Sequence, residues 1–258
     1  MKLSKNNHNL GVISLDSTLK LLSNITDKNS YFYWLNHQEY PPKSYLEHPI
    51  KSEKELQEYK NYFKRNFDLS LGAYIRIKRI FFILNNTKNQ AKNELFYSFL
   101  DTPIGEMVAI FTLKGLCLLE FLDRKMLETE LKEIIKKRHS NLINQKTEYF
   151  FELEQQLTEY FSGKREEFDI PLDFIGTDFQ ISVWQYLLNI PFGKTVSYSQ
   201  QAKQMNIPNS TRAVASANGK NKISILVPCH RVLRQDHSLG GYGGGIARKK
   251  YLIELETF

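Results

Sequence analysis

The stretch "SILVPCHRVLRQ", residues 224–235, constrains the fold of this chain more than any other. The apolar run from Ile223 to Val227, interrupted only by Ser224, reads as a buried strand. Pro228 then holds Val227 in an extended conformation and favours a bend. Cys229 and His230 follow directly. Neighbouring strand residues point to opposite faces, so these two side chains can cooperate only if the backbone turns between them. The residues alone leave Cys229 open as a nucleophile, a metal ligand or buried filler.

Cysteine usage narrows this. The chain has 2 cysteines in 258 residues, which excludes a disulfide scaffold and a cysteine-rich zinc site. Cys117, in "KGLCLLEF", reads as strand core. The net charge of +7 is compatible with a polyanionic partner and equally with ordinary surface lysine. The first residues carry no apolar run of signal-peptide length, and no stretch approaches the roughly 18 apolar residues of a membrane span. A soluble chain in a reducing cytoplasm is the expectation.

Along the chain, residues 1–48 carry no recognisable chemistry; "STLKLL" starts a short helix, and "EYPPKS" breaks the segment near Pro41 and Pro42. From Ser52 the pattern is helical, with Leu56, Tyr59, Phe63 and Phe67 on one stripe and Lys60, Lys64, Arg65, Arg76, Lys78 and Arg79 making the segment basic. Residues 85–93 read as a linker. "ELFYSFLDTPIGEMVAIFTLKGLCLLEF" reads as a strand meander with turns at "DTPIG" and "LKG". Helices are expected near 124–138 and 147–162, the second with Phe150, Leu153, Leu157 and Phe161 at helical spacing. Thr177 and Gln180 stand at capping-box spacing, opening a helix whose expected buried face is Phe179, Val183, Leu187 and Ile190. "SYSQQAKQM" and "NSTRAVASANG" read as two short helices joined through "NIP", a helix-turn-helix-like pair capped at Asn209 or Ser210. The glycine cluster 240–245 and a final helix, "IARKKYLIELE", close the chain.

"TDFQISVWQYLLNIPFGKTVSYSQQA", "TRAVASANGKN" and "ILVPCHRV" occur in one order and spacing. Together they resemble the O6-alkylguanine-DNA alkyltransferases, also called methylated-DNA–protein-cysteine methyltransferases, over about residues 95–258. Residues 59–80 are similar to part of the closing helix-turn-helix of AraC-type regulators, the module that precedes the alkyltransferase in Ada-type proteins. No cysteine precedes Cys117, so Ada's N-terminal zinc-cysteine module has no counterpart.

The resemblance implies an α+β fold: a ribonuclease-H-like α/β domain, then a winged-helix-like helical domain holding the site, with a helical N-terminal extension. The divisions expected are 1–48, unassigned; 49–90, a partial AraC-like helix-turn-helix; 91–172, the ribonuclease-H-like domain; and 173–258, the alkyltransferase domain. It implies irreversible transfer of an alkyl group from O6-alkylguanine, and from O4-methylthymine, to Cys229, each molecule acting once. Sulfur attacks as thiolate, so a base must offset its burial. In this reading His230 takes the proton through a water and Glu256 orients the imidazole, with Glu254 as the competing acid. Asn221 bridges the DNA-facing helix to the active-site segment, with a plain turn residue as the alternative. Tyr198 donates to the guanine ring as charge leaves O6, with a core tyrosine as the alternative.

Arg212, Ala213, Ser216 and Lys220 are the implied DNA contacts. Their helix enters the minor groove, and Arg212 fills the space of a flipped-out guanine. On composition alone that helix would simply pack on a neighbour. Tyr242, Gly243 and Val232 are the implied pocket residues. Gly243 stands where many members have serine, so a backbone N–H remains as the donor to O6. No cofactor and no metal is implied. The partner is double-stranded DNA with alkylated bases, not a membrane, and the protein acts as a cytoplasmic monomer. An alkylation-responsive DNA-binding regulator is the alternative, and a Cys–His hydrolase is a third reading without a matching surrounding pattern.

Overall fold

Strands of near-continuous hydrophobicity need cover on both faces, and this sheet has it. The computed structural model describes residues 52–67, 70–86 and 93–257. The features read from residues 1–48 and most of the 85–93 linker lie outside that range, as do the side chains of Tyr59, Phe63 and Phe67. Strands β1 (Asn93–Leu100), β2 (Met107–Thr112) and β3 (Gly115–Phe121) form the expected antiparallel meander. Strand β4 (Ser140–Asn144), which the sequence reading passed over, adds parallel to β1, giving the order β3-β2-β1-β4.

Along β2 the side chains alternate between two cores. Met107, Ala109 and Phe111 enter one and Val108 and Ile110 the other. Helices α1 (Glu53–Phe67) and α2 (Leu71–Asn85) precede the sheet, and α3 (Leu127–Arg138) and α4 (Glu148–Phe161) follow it. α2 and α3 cover one face, where Ile77, Ile80 and Leu84 meet Leu118, Leu131 and Ile134. α4 and the C-terminal half cover the other, where Phe150, Leu153 and Leu157 share a core with Trp184, Val214 and Val227.

This packing bears on the segment read as a partial helix-turn-helix. α2 starts at a genuine cap, Ser70 accepting from the Ala73 N–H. It then buries Tyr74, Ile75, Ile77 and Ile80 in the fold. Arg79, one of the basic residues of the segment, is 3% exposed and pairs with Glu128 at 2.6 Å. That face of α2 is occupied by the sheet and α3 and is not available to a groove.

In the C-terminal half, α5 (Asp178–Leu187) begins at the Thr177–Gln180 capping box. Its buried face differs from expectation. Phe179, in the first turn, is 40% exposed, and Trp184 takes the central place beside Val183 and Leu187. Helix α6 (Tyr198–Gln204) opens on a second capping box, Ser197 with Gln200. Helix α7 (Thr211–Gly219) has Ser210 at its N-cap position, without a side-chain cap bond. Trp184 Nε1 donates to the Ala217 carbonyl at 2.8 Å, fixing α7 on α5, and Asn218 Nδ2 donates to Gln201 Oε1 at 2.7 Å, fixing it on α6. Strands β5 (Val196–Ser197) and β6 (Val232–Leu233) pair in parallel, and α8 (Ile246–Leu255) ends the described chain. Among the described residues no helix is long and apolar enough to cross a membrane.

Candidate active site

The run Ile223–Val227 is not a strand. A single bridge joins Ile223 to Leu119 of β3, with Leu119 N–H donating to the Lys222 carbonyl and Ser224 N–H to the Leu119 carbonyl, both at 2.8 Å. The chain then folds on itself. Leu226 N–H donates to the Ser224 carbonyl at 2.9 Å around Ile225, whose φ is 73°. That is a γ-turn in a conformation a β-branched residue rarely adopts. Pro228, at φ −82° and ψ 60°, makes an inverse γ-turn closed by Cys229 N–H to the Val227 carbonyl at 2.8 Å. Cys229–Arg231 forms one 3₁₀ turn, which supplies the bend that pairing Cys229 with His230 requires.

Asn221 holds these turns together. Its Nδ2 donates to the Val227 carbonyl at 2.9 Å, the Ile223 carbonyl at 3.3 Å and Cys229 Sγ at 3.3 Å. Its Oδ1 accepts from Ile223 N–H at 3.0 Å. The side chain is therefore more than a turn former, because it touches the sulfur. Burial raises the Cys229 thiol above its ordinary value, and the Asn221 hydrogen bond opposes that shift.

His230 is fully buried. Its Nε2 lies 2.8 Å from Glu256 Oε1, and its Nδ1 has no partner among the described residues. Glu256, not Glu254, reaches the imidazole; Glu254 is exposed and 3.6 Å from Lys250. Glu256 also accepts from Arg231 Nε at 2.7 Å, Arg231 Nη2 at 3.0 Å and Tyr160 Oη at 2.7 Å. Burial alone would raise this carboxyl, but the bonds from His230 and Arg231 hold it down at about 2. Burial lowers His230 from its ordinary value, with Glu256 opposing, so the ring rests neutral near pH 7. With Nε2–H on the carboxylate, Nδ1 is the lone-pair nitrogen. Sequence reasoning assigned no role to Arg231 or Tyr160. Arg231 was visible beside His230, whereas Tyr160 lies 96 residues from Glu256 and left no local signal.

Cys229 opens into a cavity of about 410 Å³, lined among others by Tyr198, Ala215, Asn218, Tyr242 and Gly243. Arg234, exposed, also lines it. Val232, expected here, is fully buried in β6, paired with Val196, and does not line the cavity. Its carbonyl accepts from Lys249 Nζ at 2.6 Å. Burial raises the phenols of Tyr198 and Tyr242, keeping both protonated and able to donate. On α7, Val214, Ala217 and Asn218 face inward while Arg212, Ala213, Ser216 and Lys220 share the exposed face. The Arg212 guanidinium has no partner among the described residues.

A buried thiol on a cavity, an imidazole–carboxylate pair and an exposed, small-residue helix can be compared with known proteins. Residues 95–174 match the model of the 6-O-methylguanine DNA methyltransferase ribonuclease-like domain, and residues 178–258 that of the DNA binding domain. A methylated-DNA–protein-cysteine methyltransferase of Methanosarcina barkeri is 40% identical over 163 residues, 63% of this chain and 97% of that protein. The chain belongs to the methylated-DNA–protein-cysteine methyltransferase family. The Mycobacterium tuberculosis H37Rv relative is 55% identical over 101 residues, which spans 39% of this chain and 61% of that protein. A crystal structure of Mycobacterium tuberculosis OGT in complex with DNA is similar with a TM-score of 0.54 and 41% identity, covering 63% of this chain and 92% of that one. The O6-methylguanine-DNA methyltransferase of Pyrococcus kodakaraensis KOD1 is similar with a TM-score of 0.50 and 27% identity, covering 64% and 99%. These methyltransferases share the mixed α+β arrangement seen here. Helices α1 and α2 precede both family matches.

Proposed function

We propose that this protein repairs DNA by irreversible transfer of a methyl or alkyl group from O6-alkylguanine, and from O4-methylthymine, in duplex DNA to Cys229. The observation that carries the reading is Cys229 lining a cavity of about 410 Å³ while its neighbour His230 is locked to Glu256. In the reaction the S–C bond forms as the O6–C bond breaks, and the thiol proton passes through a water to His230 Nδ1. Glu256 stabilises the imidazolium that results. Tyr198 donates to the departing guanine, Tyr242 walls it, and the Gly243 N–H reaches O6. The thioether product has no easy leaving path, so each molecule turns over once.

The exposed face of α7 supports minor-groove entry. Arg212, exposed and without a partner among the described residues, occupies the space left by the flipped base, and Ala213, Ser216 and Lys220 lie along the backbone. In the same reading residues 91–172 form a ribonuclease-H-like domain and 173–258 a winged-helix-like one, in a cytoplasmic monomer that needs no cofactor or metal. The regulator alternative is not favoured, since α2 spends its apolar face and Arg79 on the fold. Mass spectrometry after mixing with an O6-methylguanine duplex tests the proposal. One methyl on Cys229, absent in Cys229→Ser, is the expected result; an unmodified protein, or a methyl elsewhere, refutes it.

A further inference from the structure

A buried cation touches the back of this site and plays no part in the chemistry described so far. Arg124 follows β3 and is 4% exposed. Its Nη1 lies 3.0 Å from Glu120, and its Nη2 and Nε lie 2.7 and 3.2 Å from Glu130 Oε1. Nη2 also donates to the carbonyls of Gly219, at 3.1 Å, and Asn221, at 3.0 Å. Gly219 ends α7, where carbonyls lack helical partners and a cation is favoured. Asn221 is the residue whose amide touches the Cys229 sulfur. Glu120 in turn accepts from Ser224 Oγ at 2.8 Å, in the turn that leads to Cys229.

The same guanidinium dictates the residue at 243. A Cβ built on Gly243 would stand 1.7 Å from Arg124 Nη1 and 2.6 Å from its Cζ. Gly243 lines the cavity, so the arginine fills the volume directly behind the cavity wall. A buried ion cluster of this kind is weak evidence for stability alone, because well-packed apolar residues often do as well. What it supplies here is fixed geometry at three parts of the pocket: the end of α7, Asn221 and the glycine loop.

We infer that Arg124 is a positioning residue for the Cys229 thiol and its pocket, clamping the Gly219–Asn221 backbone from behind and requiring glycine at 243. The inference rests on the transfer reading for its kinetic consequences, but the clamp itself can be read without DNA.

A double-mutant cycle on the full chain tests it. Arg124→Ala and Gly243→Ala are each expected to slow single-turnover methyl transfer by about 10-fold or more, as misplacement of a reacting group does. Affinity for an undamaged duplex should stay within about 2-fold, since the exposed face of α7 is untouched. In the Arg124→Ala background, Gly243→Ala should add little, because the atom it collides with is gone. Arg124→Lys should not rescue the rate fully, as a single ammonium cannot hold two carboxylates and two carbonyls at once. The DNA-free arm measures iodoacetamide labelling of Cys229 against pH. Arg124→Ala should move the rise in labelling to higher pH, which a remote structural residue would not do.

Multiplicative effects in the cycle, or a wild-type rate in Gly243→Ala, would overturn the clamp. If Arg124→Ala does not fold, Gly243→Ala and Arg124→Lys carry both arms. Wild-type protein that accepts no methyl would sink the transfer reading, and the labelling arm would still decide the clamp.

Discussion

Cys117 and Cys229 are the same residue in nearly the same degree of burial, at 1% and 8% exposure. Burial raises both thiols. Cys117 sits mid-strand in β3, packed in the core beneath α2 and α3. Cys229 sits on a 3₁₀ turn, accepts a hydrogen bond from Asn221 and opens on a cavity, with a carboxylate-bound histidine next in the chain. Burial is therefore not what separates the two thiols. A donor to the sulfur, a neighbouring carboxylate-bound imidazole and an adjoining cavity do, and these are the features a reactive cysteine needs.

The largest expected contrast breaks the comparison outright. Cys229→Ser should take up no methyl from an O6-methylguanine duplex, while Cys117→Ser should take up one per folded molecule, as read by intact-mass spectrometry. Next, His230→Ala should slow transfer by about 100-fold or more, the usual scale for a lost general base, with duplex affinity unchanged in a titration. Equal rates would mean the base lies elsewhere. Arg212→Ala should cost about 10-fold on duplex substrate and little on the free alkylated base, because only the duplex requires extrusion.

A smaller effect lies in pH. Glu256 is held at about 2 against an ordinary 4.5, so its contribution to stability is present above the ordinary range and is lost as pH falls toward 2. His230, lowered by burial, adds a loss of the same sign as pH falls below its ordinary 6.5, since the unfolded ring takes the proton first. Thermal melts from pH 7 to 2 should thus fall steadily. Glu256→Gln should melt lower at pH 7 by about 2 kcal/mol of stability, with the gap closing toward pH 2. Glu254→Gln, on the exposed acid, should change neither melt nor rate.

Much of this was legible in local signals. The capping box at Thr177, the turns at "DTPIG" and "LKG", and the helical spacing through Phe150 and Leu157 rest on bonds within a few residues, which sequence encodes directly. Local signals do not reach where long-range packing decides. Ile223–Val227 has strand composition but forms turns, because Asn221 takes up its carbonyls and only Ile223 finds a strand partner. Val232 left the pocket for β6 because Val196 pairs with it. Phe179, expected on the buried face, is exposed, while Trp184 is buried with its Nε1–H on the Ala217 carbonyl.

The chain order alone determined which residues the candidate site can draw on: a cysteine and histidine side by side after a proline, and an acid near the end of the last helix. It also determined that a bend must separate them. Only the tertiary structure decided which acid meets the imidazole, that Tyr160 and Arg231 share it, and that Arg124 lies behind Gly243. The physical reason is range. Caps and turns are settled by neighbours a few bonds away, whereas a buried charge is settled by whichever partner the packed core delivers, however far along the chain it began.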